Sequence, residues 1–466
     1  MLSKDLPGPK GKPIVGNMFE VDINNLHNQL SDWVDEYGDV FNLNLGLTNM
    51  LIVAKPSMID YIQKNRPTLF RRMDKLNNVL KEEGISGVFN AEGEEWKRHR
   101  MMVAKGLDIK HQIAFFPWMM TVTDRLKRKW QKDVKEQGAF SIQDDFLRYT
   151  VDVSTNLAFG KEMNTLEERQ GAIQDDMEKV FPMIFKRINQ PIPWYKWFKS
   201  KADKEYNAAT DRLQEFVDDV ITSTKQKLHD NPSLKENPQN FLEAIIVAAE
   251  EDQHFNDADI RSNLLTLLLA GEDTTAHTLT WAITLLNDQP EVIAKAREEV
   301  DRVLGEHQTV TRFEQLQQLE YIGAVINEVM RLKPVAPITL YQPNEDVEVE
   351  GVKIPKDSRM LLHLRKSATM EEHFSRAGEF VPERWIKAKS QCPVHNTAAY
   401  NPFGGGPRYC PGANLALTEM KLVLAMLFKN FDFKLETNVE DIKEIMAFTM
   451  MASDFKVSFT PRKNNH

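Results

Sequence analysis

Asn401-Pro402-Phe403-Gly404-Gly405-Gly406-Pro407-Arg408-Tyr409-Cys410-Pro411-Gly412 is the stretch on which the reading of this chain turns. Three consecutive glycines between prolines exclude regular helix or strand ahead of the cysteine, so the chain must form an exposed, tightly turned loop there. From Asn414 to Phe428 the residues are apolar and strongly helix-forming. Cys410 therefore stands at a loop-to-helix junction, where open backbone N–H groups and the helix dipole favour a thiolate.

A thiolate among glycines suits axial coordination of haem iron. The loop must approach a flat macrocycle closely, and amide hydrogens aimed at sulfur set its donor strength. Phe403 can cover the sulfur, and Arg408 can reach a haem propionate. Other uses of the thiol compete with this one. They are a buried structural cysteine, a Cys392–Cys410 disulfide, and a zinc site drawing on Cys392-Pro-Val-His395, which lacks a full set of well-spaced donors. The spacing Phe403-x-x-Gly406-x-Arg408-x-Cys410-x-Gly412 resembles the cysteine-ligand loop of the cytochrome P-450 superfamily. Five such matches arise by chance in a chain this long with a probability on the order of 10⁻⁴. The resemblance adds Gly404, Gly412 and Ala416 to the expected haem contacts.

Four further motifs stand in the family's order. Trp96 and Arg100 lie four apart in Gly93-Glu-Glu-Trp-Lys-Arg-His-Arg100, on one helix face, and an indole N–H with a guanidinium suits a carboxylate. They resemble the family's propionate-holding pair; outside that context such a pair is surface packing. Asp257 to Asn287 reads as a helix of roughly 46 Å that is apolar on most faces, as expected at the centre of a large domain. Within it, Ala270-Gly271-Glu272-Asp273-Thr274-Thr275 is a polar interruption. Gly271 costs about 1 kcal/mol relative to alanine, and Thr274 can turn its hydroxyl onto a backbone carbonyl, so the helix can bulge and admit water. The segment resembles the family's oxygen-activation motif. That implies Thr274 orienting water, Asp273 joining it to the proton supply, and Ala270 and Gly271 against the haem. A polar kink in a core helix is the plain alternative.

Glu328 and Arg331, three apart in Leu319–Pro334, can pair within a helix. They resemble the family's Glu-x-x-Arg helix, and Phe380-Val-Pro-Glu-Arg384-Trp385 its partner segment, which implies a buried structural network of Glu328, Arg331 and Arg384. The resemblance also places Val335, Ala336, Pro337, Ile338 and Phe448, with Ala270, around the substrate. Two departures stand out: Arg365-Lys-Ser367 replaces the usual Arg-Asp, and Pro411 follows the ligand.

With 466 residues, 42% hydrophobic and 27% charged, and a net charge of −9, the composition is that of a soluble globular protein and speaks against nucleic acid as a partner. Two cysteines make no disulfide framework, which fits a reducing cytoplasm. No apolar run reaches the roughly 18 to 20 residues that span a bilayer, and Met1 to Lys10 has neither a signal peptide's apolar segment nor an anchor. Periodicity predicts helices over Asn25–Tyr37 and Pro56–Asn65, a hairpin of Val40–Leu45 with Asn49–Ala54, and a helix opened by Pro290 and stopped at Gly305. Strands are expected within Asp346–Ile354, Ser358–Leu364, Phe431–Leu435 and Asp454–Thr460. Arg125–Trp130 reads as a basic turn on a solvated face, or, with Lys97 and Arg98, as a landing place for an acidic redox partner. The aromatics of Gln190–Phe198 line a substrate entrance, touch a membrane surface or pack on their own domain.

The expected protein is one mainly helical catalytic domain over residues 1–466 with small β-sheets, its β-bearing region about 38–70 plus 340–365. Haem b would lie between the Thr274 helix and the Cys410 loop. The resemblance implies insertion of one oxygen atom from O₂ into a small apolar organic substrate. No Gly-x-Gly-x-x-Gly fingerprint, flavin domain or iron–sulfur cysteines are seen, so electrons are expected from a separate or detached NAD(P)H-linked reductase, flavodoxin or ferredoxin. A haem-thiolate isomerase or dehydratase, peroxide-driven turnover, and a haem sensor using Cys392-Pro393 are the rival readings. The Asp273/Thr274 pair favours the monooxygenase.

Overall fold

Alternating apolar residues after residue 39 fold as their period of two dictates. Val40–Leu45 and Thr48–Val53 pair antiparallel, with Phe41 opposite Ile52 and Leu43 opposite Met50. The structure, a computed structural model, describes residues 1–46, 48–136, 138–168, 172–190, 193–251, 255–386 and 395–462. Cys392, and with it the disulfide, the zinc ligand and the Cys-Pro motif, lies outside the described residues, as do Pro191 and Ile192. The fold is mainly α with small β-sheets, in two compact units that the chain visits more than once.

The first unit comprises Met1–Asn78, Asn327–Cys410 and Glu444–Met451. Its five-stranded sheet runs, edge to edge, Val40–Leu45, Thr48–Val53, Arg359–His363, Ile338–Pro343 and Phe70–Arg72. Thr48–Val53 and Arg359–His363 are parallel neighbours at its centre, and both are covered on both faces. Leu51, Val53, Met360 and Leu362 pack on one side with Met58, Ile59 and Ile62 of the helix Pro56–Lys64. Ile52 and Leu361 pack on the other with Leu30 and Val34 of the helix Leu26–Tyr37.

The second unit comprises Val79–Ile326, Pro411–Lys443 and Ala452–His466. The helix Asp257–Leu286 runs through it, opened by a capping box in which Asn256 and Asp259 satisfy each other's backbone N–H groups. It packs along Ile142–Phe159 and touches Ala413–Asn430, whose residues Leu422 to Phe428 are all buried. The helix Lys201–Asp230 is equally long. Ala139–Phe140, Val457–Pro461 and Phe431–Leu435 form a three-stranded sheet around Trp130, whose ring meets Phe146, Phe431 and Phe459.

Arg125–Trp130 departs from expectation. It lies inside the helix Ile109–Glu136, where Arg125 and Trp130 are buried and Lys129 pairs with Asp133 at 2.6 Å and Asp145 at 2.8 Å. Lys129 is thus taken up by internal acids, whereas Arg128 stays exposed and pairs with Glu167, so only part of the run faces solvent. Of the aromatics near residue 195, Tyr195 donates to Glu82 at 2.9 Å, whereas Trp194, Trp197 and Phe198 are exposed. Among the described residues no helix is long and apolar enough to cross a membrane.

Candidate active site

In the first unit, the loop before Cys410 is closed by its own backbone. Gly404 N donates to Asn401 O at 3.1 Å, Tyr409 N to Gly406 O at 3.1 Å, and Cys410 N to Phe403 O at 3.0 Å. Gly404 and Gly406 adopt left-handed φ of 73° and 63°. Cys410 is half-buried at the end of this loop, and the Tyr409 phenol is pushed up by burial and by the charge of Cys410. The glycines divide the work. A Cβ on Gly405 would lie 2.5 Å from Gln63 Oε1, and one on Gly406 2.4 Å from the Gln63 carbonyl, so these two admit the end of the helix Pro56–Lys64. A Cβ on Gly404 would meet no protein atom within 4 Å. Of the three, only Gly404 thus keeps an open side, while Gly405 and Gly406 serve the packing of the loop on that helix. Gly406→Ala would combine left-handed strain with a backbone clash and lower stability by about 1–3 kcal/mol. Gly404→Ala would bring the strain alone, about 1 kcal/mol. Equal losses in denaturant titrations would contradict this division.

Behind the loop, Glu328 and Arg331 are fully buried and Arg384 nearly so. Glu328 Oε1 accepts from Arg331 Nη2 at 2.7 Å, Val381 N at 2.9 Å and Arg384 Nε at 3.0 Å; Oε2 accepts from Arg331 Nε at 2.9 Å and Trp385 Nε1 at 2.8 Å. Arg331 spends its remaining donors on the carbonyls of Ala368, Ala377 and Glu379. Tyr400, one residue before the ligand loop, packs on Trp385 at 4.5 Å and donates to Asn327 O at 3.1 Å. The ionic network therefore anchors the start of the loop. His395, the other half of the zinc alternative, packs edge-on against Trp385 and Phe374.

In the same unit, Met450 N donates to Val335 O at 2.8 Å, joining the segment of Val335, Ala336, Pro337 and Ile338 to the turn that carries Phe448. Ala336 is exposed; Val335, Ile338 and Phe448 are half-buried; Pro337 is buried, its carbonyl accepting from Leu364 N and Arg365 N.

In the second unit, Thr274 Oγ1 donates to Ala270 O at 2.9 Å, and Thr278 Oγ1 to Thr274 O at 2.8 Å. The helix stays α throughout, without a bulge. Gly271 has a packing reason instead: a Cβ there would sit 2.9 Å from Ser154 Oγ. Ala270 is exposed and Gly271, Asp273 and Thr274 are half-buried, while Leu268, Leu269, Glu272, Thr275 and Ala276 are buried. Beyond its exposed first turn, the helix thus bares Ala270 fully and its neighbours in part, a short strip that holds a hydroxyl and a carboxylate.

Trp96 is buried and Arg100 half-buried on the helix Gly93–Gly106. Between them His99, fully buried, lies 2.7 Å from Asn263 Nδ2 and 3.7 Å from Asp259 Oδ1, which ties this helix to the central one. Burial lowers its pKa, so it is a neutral ring accepting from the amide. In the sequence it is one basic-looking letter among Lys97, Arg98 and Arg100. Gly412 precedes the helix Ala413–Asn430 and accepts from Ala416 N at 2.9 Å. Glu419 on that helix is fully buried, its carboxyl pushed up to about 8 by burial despite a hydrogen bond with Thr275. Nothing in its local sequence signals this.

These residues fit a haem. Cys410 is half-buried at the end of a loop in which Gly404 has an open side, and among the described residues no cluster of His, Cys, Asp or Glu is placed to hold a metal ion otherwise. The family model for cytochrome P450 matches residues 6–459. A putative cytochrome P450 of Caenorhabditis elegans is 29% identical over 486 aligned positions, covering 95% of this chain and 91% of that one. A self-sufficient cytochrome P450 monooxygenase of Phanerodontia chrysosporium is 26% identical over 99% of this chain, which spans only 43% of the fungal protein. The crystal structure of the cytochrome P450DA heme domain superposes with a TM-score of 0.86 at 21% identity, over 98% of both chains, and so shares the fold. The chain belongs to the cytochrome P450 family and is a haem-thiolate monooxygenase, with haem b held on a cysteine thiolate.

Proposed function

We propose that this monooxygenase inserts one oxygen atom from O₂ into a small apolar organic substrate. Cys410 would hold the haem iron through its thiolate, Thr274 and Asp273 would handle protons, and Trp96, Arg100 and Arg408 would hold the propionates. Phe403, Gly404, Gly412, Ala416, Ala270 and Gly271 lie against the macrocycle, and Val335, Ala336, Pro337, Ile338 and Phe448 line the substrate pocket. Haem, when bound, supplies O₂ activation driven by electrons from outside the chain. Those electrons come from a separate or detached NAD(P)H reductase, flavodoxin or ferredoxin, in keeping with the absence of a dinucleotide fingerprint from this sequence. A sequence with two cysteines and no disulfide framework supports a cytoplasmic setting, and one family match over residues 6–459 supports a single catalytic domain.

The observation that carries this reading is the bared strip of the central helix. Thr274 anchors its hydroxyl hydrogen on Ala270 O, one turn back, which leaves its oxygen able to accept from water, and Asp273 is the adjacent partly open carboxylate. A hydroxyl that orients water and an acid that exchanges protons with solvent are the groups needed to deliver protons at that point. Thr274→Ala should keep the haem spectrum and fold while product formed per NAD(P)H consumed falls by about 10²-fold, the lower end of what a positioned proton-transfer group contributes. Unaltered coupling would remove Thr274 from the mechanism.

A further inference from the structure

Glu444 opens the strand Glu444–Met446, and its carboxylate gathers side chains from three other segments. Oε2 lies 2.7 Å from His27 Nε2 and accepts from Asn28 Nδ2 at 2.9 Å and Arg365 Nη1 at 2.7 Å, while Oε1 accepts from Lys333 Nζ. Arg365 Nη1 also donates to Asn28 Oδ1 at 3.0 Å, which closes the cluster. The carboxylate is almost enclosed and His27 fully so. Burial would raise the carboxyl's pKa, but His27, Arg365 and Lys333 outweigh it and hold the group ionised, well below the usual carboxylate range. Such a hub adds little net stability over apolar packing, because each ion has been taken out of water. What it does supply is fixed geometry.

The geometry it fixes is that of two pocket segments. Lys333 stands two residues before Val335, and Arg365 N donates to Pro337 O, so both cations are tied to the ends of the 335–338 segment. Glu444 itself begins the two-stranded sheet Glu444–Met446 with Met450–Ala452, whose turn carries Phe448 and is tightened by Ala447 N donating to Thr449 O at 3.0 Å. The bond from Met450 N to Val335 O completes the frame. Arg365 belongs to the segment where this chain departs from the family's Arg-Asp pattern, and here its counter-charge comes from Glu444.

We propose that Glu444 is a positioning residue for substrate selection: it sets the Phe448 turn against the 335–338 segment and so decides how bulky an apolar guest the protein admits. This rests on the proposed pocket. The test titrates alkyl-substituted imidazoles of graded bulk into the holoprotein, followed by haem absorbance, for the wild type, Phe448→Ala, Glu444→Gln and the double variant. Phe448→Ala should shift the Kd ratio between the bulkiest and smallest ligand toward the bulky one. Glu444→Gln should move that ratio by about tenfold in the same sense, with the double variant adding nothing, since coupled neighbours are non-additive. Lys333→Met, which leaves three partners on the carboxylate, should produce a smaller shift and serves if Glu444→Gln folds poorly. If Phe448→Ala changes the ratio but Glu444→Gln and Lys333→Met lower only the melting temperature, Glu444 is structural and the inference fails. If Phe448→Ala leaves the ratio untouched, the pocket reading fails, and the inference with it.

Discussion

Replacing Cys410 with serine should abolish the thiolate absorption of the reduced, carbon-monoxide-bound protein and lower monooxygenation by about 10³-fold or more, equivalent to at least about 4 kcal/mol of barrier. Serine is nearly isosteric with cysteine, and the bonds that close the loop run between backbone atoms. The closing bond is the backbone pair Cys410 N to Phe403 O, and the turn depends on the left-handed Gly404 and Gly406. The variant should therefore fold to nearly wild-type stability. What it loses is chemistry: a hydroxyl at this junction does not ionise near neutral pH, so it cannot push electron density onto iron as a thiolate does. Stability and activity thus separate in one substitution. A Cys410→Ser protein that kept the wild-type spectrum would place the ligand elsewhere.

The parts of this fold legible in the sequence are those whose signal is local. Val40–Val53 alternates over enough residues to specify a hairpin, Pro290 and Gly305 punctuate one helix at both ends, and Glu328 with Arg331 sit one turn apart. The three-residue strand Phe70–Arg72 is too short to show a period, and its partner Ile338–Pro343 lies far along the chain. Glycine roles were hidden for a related reason. Gly271 answers to Ser154 on another helix and Gly406 to the end of a third, and neither neighbour can be read from the glycine's own surroundings. Buried titratable groups are the least legible of all. Glu419, His99 and Glu444 look like ordinary surface letters, and only tertiary packing gives them raised, lowered and strongly depressed pKa values. In the site, residue types and spacing point to the Cys410 loop and to the Thr274 turn, whereas the residues that brace them come from packing that spacing does not encode.

The largest expected effect on stability comes from that bracing. Glu328→Gln keeps the shape of the side chain but removes the charge that Arg331 and Arg384 share, both of them buried. The amide brings one acceptor oxygen and one NH₂ in place of two acceptor oxygens, so the two donors now facing the nitrogen lose their partner and two guanidinium charges are left without compensation. Breaking a buried ion pair by changing one partner typically costs about 3–5 kcal/mol, because the stranded charge keeps its desolvation penalty. Lys64→Ala, which removes the exposed pair with Asp60, should change stability by no more than about 1 kcal/mol and serves as the control. Because Trp385 and Tyr400 couple this network to the start of the ligand loop, Glu328→Gln should also lower the fraction of purified protein that retains haem, while the molecules that do retain it keep the thiolate spectrum. Denaturant unfolding of the holoprotein, followed by circular dichroism and haem absorbance together, reads both quantities. A loss no greater than the control's would mean that the network is an incidental cluster of charges, with the loop held by its glycines and its own backbone bonds alone.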